Sequence, residues 1–360
     1  MSMRPIRQAN KDYEGWLRRE LRGDVVEADL KEKHKKMKDG PFPFLRATYW
    51  RWAETILTVC PDLRKAPPAL SVGDIHLENF GTWRDEDGRL IWGVNDFDEA
   101  AEMPYVLDIV RLATSATLAR TPRALSAKEI CVAILAGYRE ALAYARPFAL
   151  DEEHRWLRKL VMVPENERAD FWKKKIDKLK EPEQPPHKRY RDALKSSMPE
   201  PRIEIVFRPR TAGTGSLGRP RWVGFGTWRG GRVVREAKAL VPSGWTRAHG
   251  RGKAELRCEE IACGKYRAPD EWYGVIGTIA VRRLSPNSRK LEVKDMPGEL
   301  LRPRMLQAMG HELASVHLGT GDRHAAITND LDARPRNWLR AATDAATDFV
   351  SGEFKVWCKG

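Results

Sequence analysis

The sequence predicts an α+β protein of two lobes, helical first and strand-rich second. Three observations carry this. Up to about residue 200, apolar residues recur at helical spacing between charged faces. From Pro201 the chain changes to short β-rich runs separated by glycine turns. Between residues 71 and 100, acidic and amide side chains crowd into two short clusters on either side of a hairpin signal, Asp87-Gly88. The expected division is a helical lobe over 1–200, a strand-rich lobe over 201–295, and helices over 296–360 that return to the helical lobe.

The elements follow in order. Residues 1–40 read as two charged helices, the second closed by Gly40-Pro41. The aromatic stretch 42–50 leads into a helix reaching Val59, and its rings read as core. Arg46 is the one anion-contact candidate there. Met103-Pro104 precedes an apolar helix over 105–113, interrupted by Asp108. That carboxylate either accepts hydrogen bonds from buried backbone amides or faces solvent on the helix rim. Ser126-Ala127-Lys128-Glu129 is a capping box, opening a helix with Ile130, Ile134 and Leu135 on one face. Residues 151–198 are charged and helical, broken at 181–186 by prolines. Strands are expected at 203–207, 222–228, 233–238 and 273–284. A short helix over 253–264 carries Glu255, Glu259 and Glu260. The amphipathic stretch 301–317 places Leu306, Met309, Leu313 and Val316 on one side, with His311 and His317 as packing or capping residues. A last helix is expected over 335–349.

With 360 residues the chain can bury a large core. Its net charge of +14 favours anionic partners: nucleotides, phosphorylated substrates or nucleic acid. The densest basic patches, 31–38 and 173–180, contain acidic residues at helical spacing and read as solvated helix faces. No apolar run reaches membrane-spanning length and the N-terminus has no apolar signal core, so the expected location is the cytoplasm. The five cysteines are scattered, and Cys258-x4-Cys263 lacks a second ligand pair. Reduced thiols are expected rather than a disulfide framework or a zinc site.

The chemistry lies in the two clusters, Gly73-Asp74-Ile75-His76-Leu77-Glu78-Asn79 and Asn95-Asp96-Phe97-Asp98-Glu99. A hairpin between them brings Asp74, Asn79 and Asp96 to one end. Phosphoryl transfer uses a carboxylate to deprotonate the acceptor hydroxyl, with an amide and a second carboxylate holding magnesium. Asp74-x4-Asn79 has the catalytic-loop spacing of a kinase, and Asp96 stands where its magnesium aspartate would. Asp98 is a candidate for a second metal and His76 for support of the loop. Far along the chain, Gly213, Gly215 and Gly218 fit G-x-G-x-x-G. A strand, a turn and a third strand bearing Lys238 follow. That is the order of a phosphate-covering hairpin with its strand lysine, whereas a dinucleotide fold would want a helix straight after the glycines. Any of the three glutamates after residue 253 can partner Lys238.

PFPFLRA, GDIHLENFG, NDFDEA, GTGSLG, REAK and ELASVH resemble, in this order, the motifs of an uncharacterised bacterial family, domain of unknown function 2252, over residues 38–320, the two acidic motifs most specifically. The resemblance implies a protein-kinase-like fold, near the aminoglycoside and choline phosphotransferases. It implies a nucleotide site, with Asp74, His76, Asn79 and Asp96 matching their GDxHxxN and later aspartate, and Asp108 their helix aspartate. Val72 stands where those enzymes usually carry histidine. The glycine loop and lysine follow the catalytic loop instead of preceding it, which suggests a circular permutation.

The expected activity is ATP- and magnesium-dependent transfer of phosphate to a hydroxyl. Asp74 would be the base, Asn79 and Asp96 the metal ligands, Lys238 the phosphate clamp, and Asp108 the structural support. The rival expectations are a catalytically inactive nucleotide-binding regulator and a basic nucleic-acid-binding protein.

Overall fold

The hairpin around Asp87-Gly88 is the pivot of the fold. In the computed structural model, which describes residues 3–121, 125–250 and 255–359, β1 (Pro68–Ser71) leads into the first acidic cluster. Strands β2 (Phe80–Arg84) and β3 (Leu90–Val94) then pair antiparallel, with Phe80 opposite Val94 and Arg84 opposite Leu90. Gly88 takes φ +77° in the loop between them, a conformation that favours glycine. After the second cluster, β4 (Ala101–Pro104) returns to pair with β1, Pro68 opposite Pro104. The two-residue β5 (Phe148–Ala149) adds to β3. Both clusters are therefore connections at the same end of this small strand assembly.

Helices surround it. Val106–Leu118 is buried from Val106 through Thr117. Ala127–Tyr144 opens with the capping box, Ser126 and Glu129 bonding reciprocally. Pro303–Leu318 packs on it almost backbone to backbone. Trp338–Cys358 runs past the predicted end at residue 349 and returns Glu353 to Arg51, 2.7 Å away, in Tyr49–Val59.

The remaining strands form one antiparallel sheet: β6 (Val206–Pro209), β7 (Arg221–Trp228), β8 (Gly231–Ala239), β9 (Gly274–Ile276) and β10 (Ile279–Arg283), in the order β6-β7-β8-β10-β9. The protein is thus a mixed α+β structure. Besides the last helix, two of the expected strands differ in extent. The strand expected at 203–207 begins at Val206, and the run 273–284 folds as a hairpin instead of one strand, because Gly277 turns it at φ +61°. Of the helix expected over 253–264, residues 253 and 254 lie outside the described residues, and Cys258–Ala262 is helical. Among the described residues no helix is long and apolar enough to cross a membrane. The cysteines are all free thiols, Cys60, Cys131 and Cys258 buried.

Candidate functional site

The first cluster is shaped from below by Asp108. Its carboxylate is wholly buried and accepts from the Val72 amide at 2.7 Å and the Gly73 amide at 3.0 Å. His317 Nε2 lies 3.1 Å away, and its Nδ1 faces the Tyr138 hydroxyl at 2.8 Å. Asp108 therefore holds buried backbone and is not on the solvent rim. Gly73 has φ +81°, and a Cβ there would collide with the Glu99 carbonyl. This turn requires glycine.

Asp74 follows, with its carboxylate 2.5 Å from Nη2 of Arg111. Arg111 is itself fully buried, donates to the Leu45 carbonyl at 3.0 Å and lies over the Tyr49 and Trp52 rings. Burial pushes the Asp74 carboxyl up to about 6, against the lowering by Arg111. His76 is held well below its usual range by burial and by Arg46, Arg111 and Lys290, so it is neutral. Its Nδ1 accepts from the Glu78 amide at 3.1 Å, an intraloop bond. Asn79 ties the two clusters together, its Nδ2 donating to the carbonyls of Asp74 at 3.3 Å and Asp96 at 3.1 Å.

In the second cluster, Asp96 and Asp98 face β8. Lys238 Nζ lies 3.3 Å from Asp96 and 2.5 Å from Asp98. Burial alone would raise Asp96, but Lys238, Lys290, Arg282 and Arg221 hold it well below the usual carboxylate range. The lysine is paired with these two aspartates rather than with a glutamate after residue 253; Glu260 bonds Arg257 instead. Glu99 bonds Arg219 and accepts from the Gly244 amide at 2.6 Å.

The glycine-rich segment joins β6 to β7 and folds over Asp74. A Cβ on Gly215 would stand 2.8 Å from Asp74 Oδ2. Gly213 and Gly218 have φ +74° and +97°. The segment is gripped from outside by Glu27–Lys36: Lys33 Nζ donates to the Gly215 carbonyl at 2.9 Å, and the Thr211 hydroxyl to Asp29 at 2.9 Å.

Two spaces open here. A cavity of about 60 Å³ contains Asp74, Asn79, Asp96 and Asp98 under Gly213–Ser216. Beside it a cleft of about 1220 Å³ runs past Asp96, Gly213, Arg221, Arg282 and Lys290. Among the described residues, no three His, Cys, Asp or Glu side chains gather as a metal-holding group. Asn79, Asp96 and Asp98 offer two carboxylates and an amide, all hard oxygen donors. Asp98 Oδ2 is buried against Lys238 Nζ, 2.5 Å away. This set fits magnesium, which takes one or two carboxylates and keeps water and phosphate for the rest.

Asp74, His76, Asn79, Asp96, Asp98, Gly213 and Gly215 line the small cavity, Lys238 bonds to its aspartates, Asp108 bonds to the backbone just before Asp74, and Gly218 packs instead against Leu30 and Leu17. Sequence reasoning missed Arg111, Arg219, Glu99 and Lys290. Arg111 had a signal, a second charge one turn beyond Asp108 in the same apolar helix. The others sit in ordinary polar runs.

Fold and site together define an α+β protein with a charged cleft beneath a glycine-rich loop. Residues 22–189 match the family model described as "Uncharacterized protein conserved in bacteria (DUF2252)", a span that includes both acidic clusters and ends before the glycine-rich segment. No curated protein and no solved structure matches the chain.

Proposed function

We propose that the protein is an ATP- and magnesium-dependent phosphotransferase acting on a hydroxyl, with a two-lobed, circularly permuted protein-kinase-like fold. One observation carries this reading: the strand lysine Lys238 reaches Asp96 and Asp98 beneath a glycine-rich segment that closes on Asp74. These groups come from parts of the chain more than a hundred residues apart and in the reverse of the usual kinase order. Their convergence is what a permutation requires.

In this reading Asp74 accepts the proton of the acceptor hydroxyl. With its carboxyl at about 6 it is largely ionised at neutral pH, and Arg111 fixes its orientation. Asp108 holds the loop that carries it. Asn79, Asp96 and Asp98 would hold magnesium. The chemistry supplied there when magnesium is bound would be neutralisation of phosphate charge. Gly213 and Gly215 let backbone amides approach the phosphate chain, with Lys238 as its clamp.

The test is incubation with γ-labelled and α-labelled ATP and a metabolite extract. Label transferred from the γ position alone supports a kinase; transfer from the α position points to nucleotidyl transfer. Absence of any magnesium–ATP stabilisation would overturn the nucleotide site. A second reading, nucleotide binding without transfer, is favoured by the small space at Asp74, which Gly215 covers. It predicts magnesium–ATP stabilisation with no turnover for any acceptor.

A further inference from the structure

The sheet face that looks into the cleft is divided. Its apolar half, Val223, Val234 and Phe225, is covered by the chain's own Phe171 and Ile176. Its charged half remains open. There Glu236, 1% exposed, is surrounded by three guanidinium groups: Arg221 at 2.6 Å, Arg282 at 2.7 Å, and Arg210. Three cations share this carboxylate, and Asp96 and Asp98 act on Arg282 from across the site. Arg221 also donates to the Ser216 hydroxyl at 2.9 Å, which places it directly under the glycine-rich segment.

Lys290 lies on the same cleft, on the stretch that pairs with β2 at Gly81. Among the described residues it has no carboxylate within 4.0 Å, unlike its neighbours Arg289, bound to Glu167, and Lys294, bound to Glu292. Lys290 is exposed to the cleft, with the charges of Arg282, Arg46 and Lys238 as well as Asp96 acting on its ammonium. A cleft wall lined by more cations than carboxylates favours an anionic ligand. Guanidinium groups match phosphate with paired, parallel hydrogen bonds.

We propose that Arg221, Arg282 and Lys290 form a phosphate-chain subsite, and that the cleft recognises its ligand chiefly as a linear oligophosphate, with any attached base secondary. This rests on the nucleotide reading only in placing the phosphates of ATP here; binding of the chain itself requires neither transfer nor metal.

The experiment uses the full chain in EDTA at fixed ionic strength, with sodium tripolyphosphate, sodium sulfate and adenosine as separate probes. Melting curves and calorimetry read binding. Tripolyphosphate is expected to raise the melting temperature saturably, and sulfate and adenosine are not. Lys290→Ala removes an unpaired side chain, so the unliganded protein should melt normally while tripolyphosphate binds about tenfold or more weakly. Lys290→Arg should restore most of the affinity. A tripolyphosphate response no larger than that of sulfate overturns the proposal. So does adenosine binding in its place, or unchanged affinity in Lys290→Ala. Tripolyphosphate binding without any label transfer from ATP would sink the transferase reading and keep the subsite. Transfer with an unaltered KM for ATP in Lys290→Ala would do the reverse.

Discussion

Asp74 and Asp96 are bonded through Asn79 to the same small region, yet their side chains face different partners. Asp74 meets a buried guanidinium, and Asp96 meets Lys238 and the cleft. If Asp96 holds magnesium, Asp96→Ala should shrink the rise in melting temperature that magnesium–ATP gives, since a ligand bound only by the folded state stabilises by mass action. Asp74→Asn keeps the shape and removes the base, so that rise should survive while transfer falls by about 10²–10⁴-fold. Equal loss of the thermal response in both variants would contradict the division of roles. Asp108→Ala leaves the Val72 and Gly73 amides and His317 without their acceptor, and should destabilise by about 1–3 kcal/mol in urea unfolding. At this scale the sequence was informative where polar residue types are unusual for their setting. Asp108 in an apolar helix pointed either to buried backbone amides or to a solvent-facing rim, and the structure shows the amides of Val72 and Gly73, which carry no residue-type signal. Glu99 and Arg219 were illegible for another reason: each is unremarkable until folding brings them 120 positions together.

Elements were legible where a turn fixed them. Asp87-Gly88 set β2 and β3, and Gly230-Gly231 set β7 and β8, because tight turns restrict register. β1, β4 and β5 escaped notice, since two to four residues are too few to show alternation and their pairing is with distant segments. The close approach of Ala127–Tyr144 and Pro303–Leu318 was equally hidden. Gly137 and Gly310 permit it: a Cβ on either would run into the facing backbone, Gln307 O for Gly137 and Ile134 O for Gly310. Alanine is ordinarily better than glycine inside a helix by about 1 kcal/mol. Here the sign should invert, with Gly310→Ala destabilising by about 1–3 kcal/mol through overpacking that backbone cannot relieve. A variant melting above the wild type would show that the helices can part without penalty.

At the scale of the molecule, charge pairs join the five-stranded sheet to the hairpin clusters. Arg219, two residues before β7, bonds Glu99; Lys238 in β8 bonds Asp98; Glu99 also accepts from the amide of Gly244, at the start of the helix Gly244–His249. Arg219 is 3% exposed as a side chain, so it depends on that carboxylate. Removing one partner of a buried pair typically costs 3–5 kcal/mol, and Asp98, 3.6 Å from Arg219, remains to offset part of it. Glu99→Ala should therefore destabilise by about 3 kcal/mol. The distribution of the loss tells more than its size. If these charges are the joint, hydrogen exchange should quicken first in β7, β8 and residues 240–249, while the amides of β2 and β3, paired with each other, keep their protection. Subglobal opening of this kind is a lower free-energy event than complete unfolding. Equal loss of protection throughout would mean that sheet and clusters open as one unit and that apolar packing, not charge, couples them.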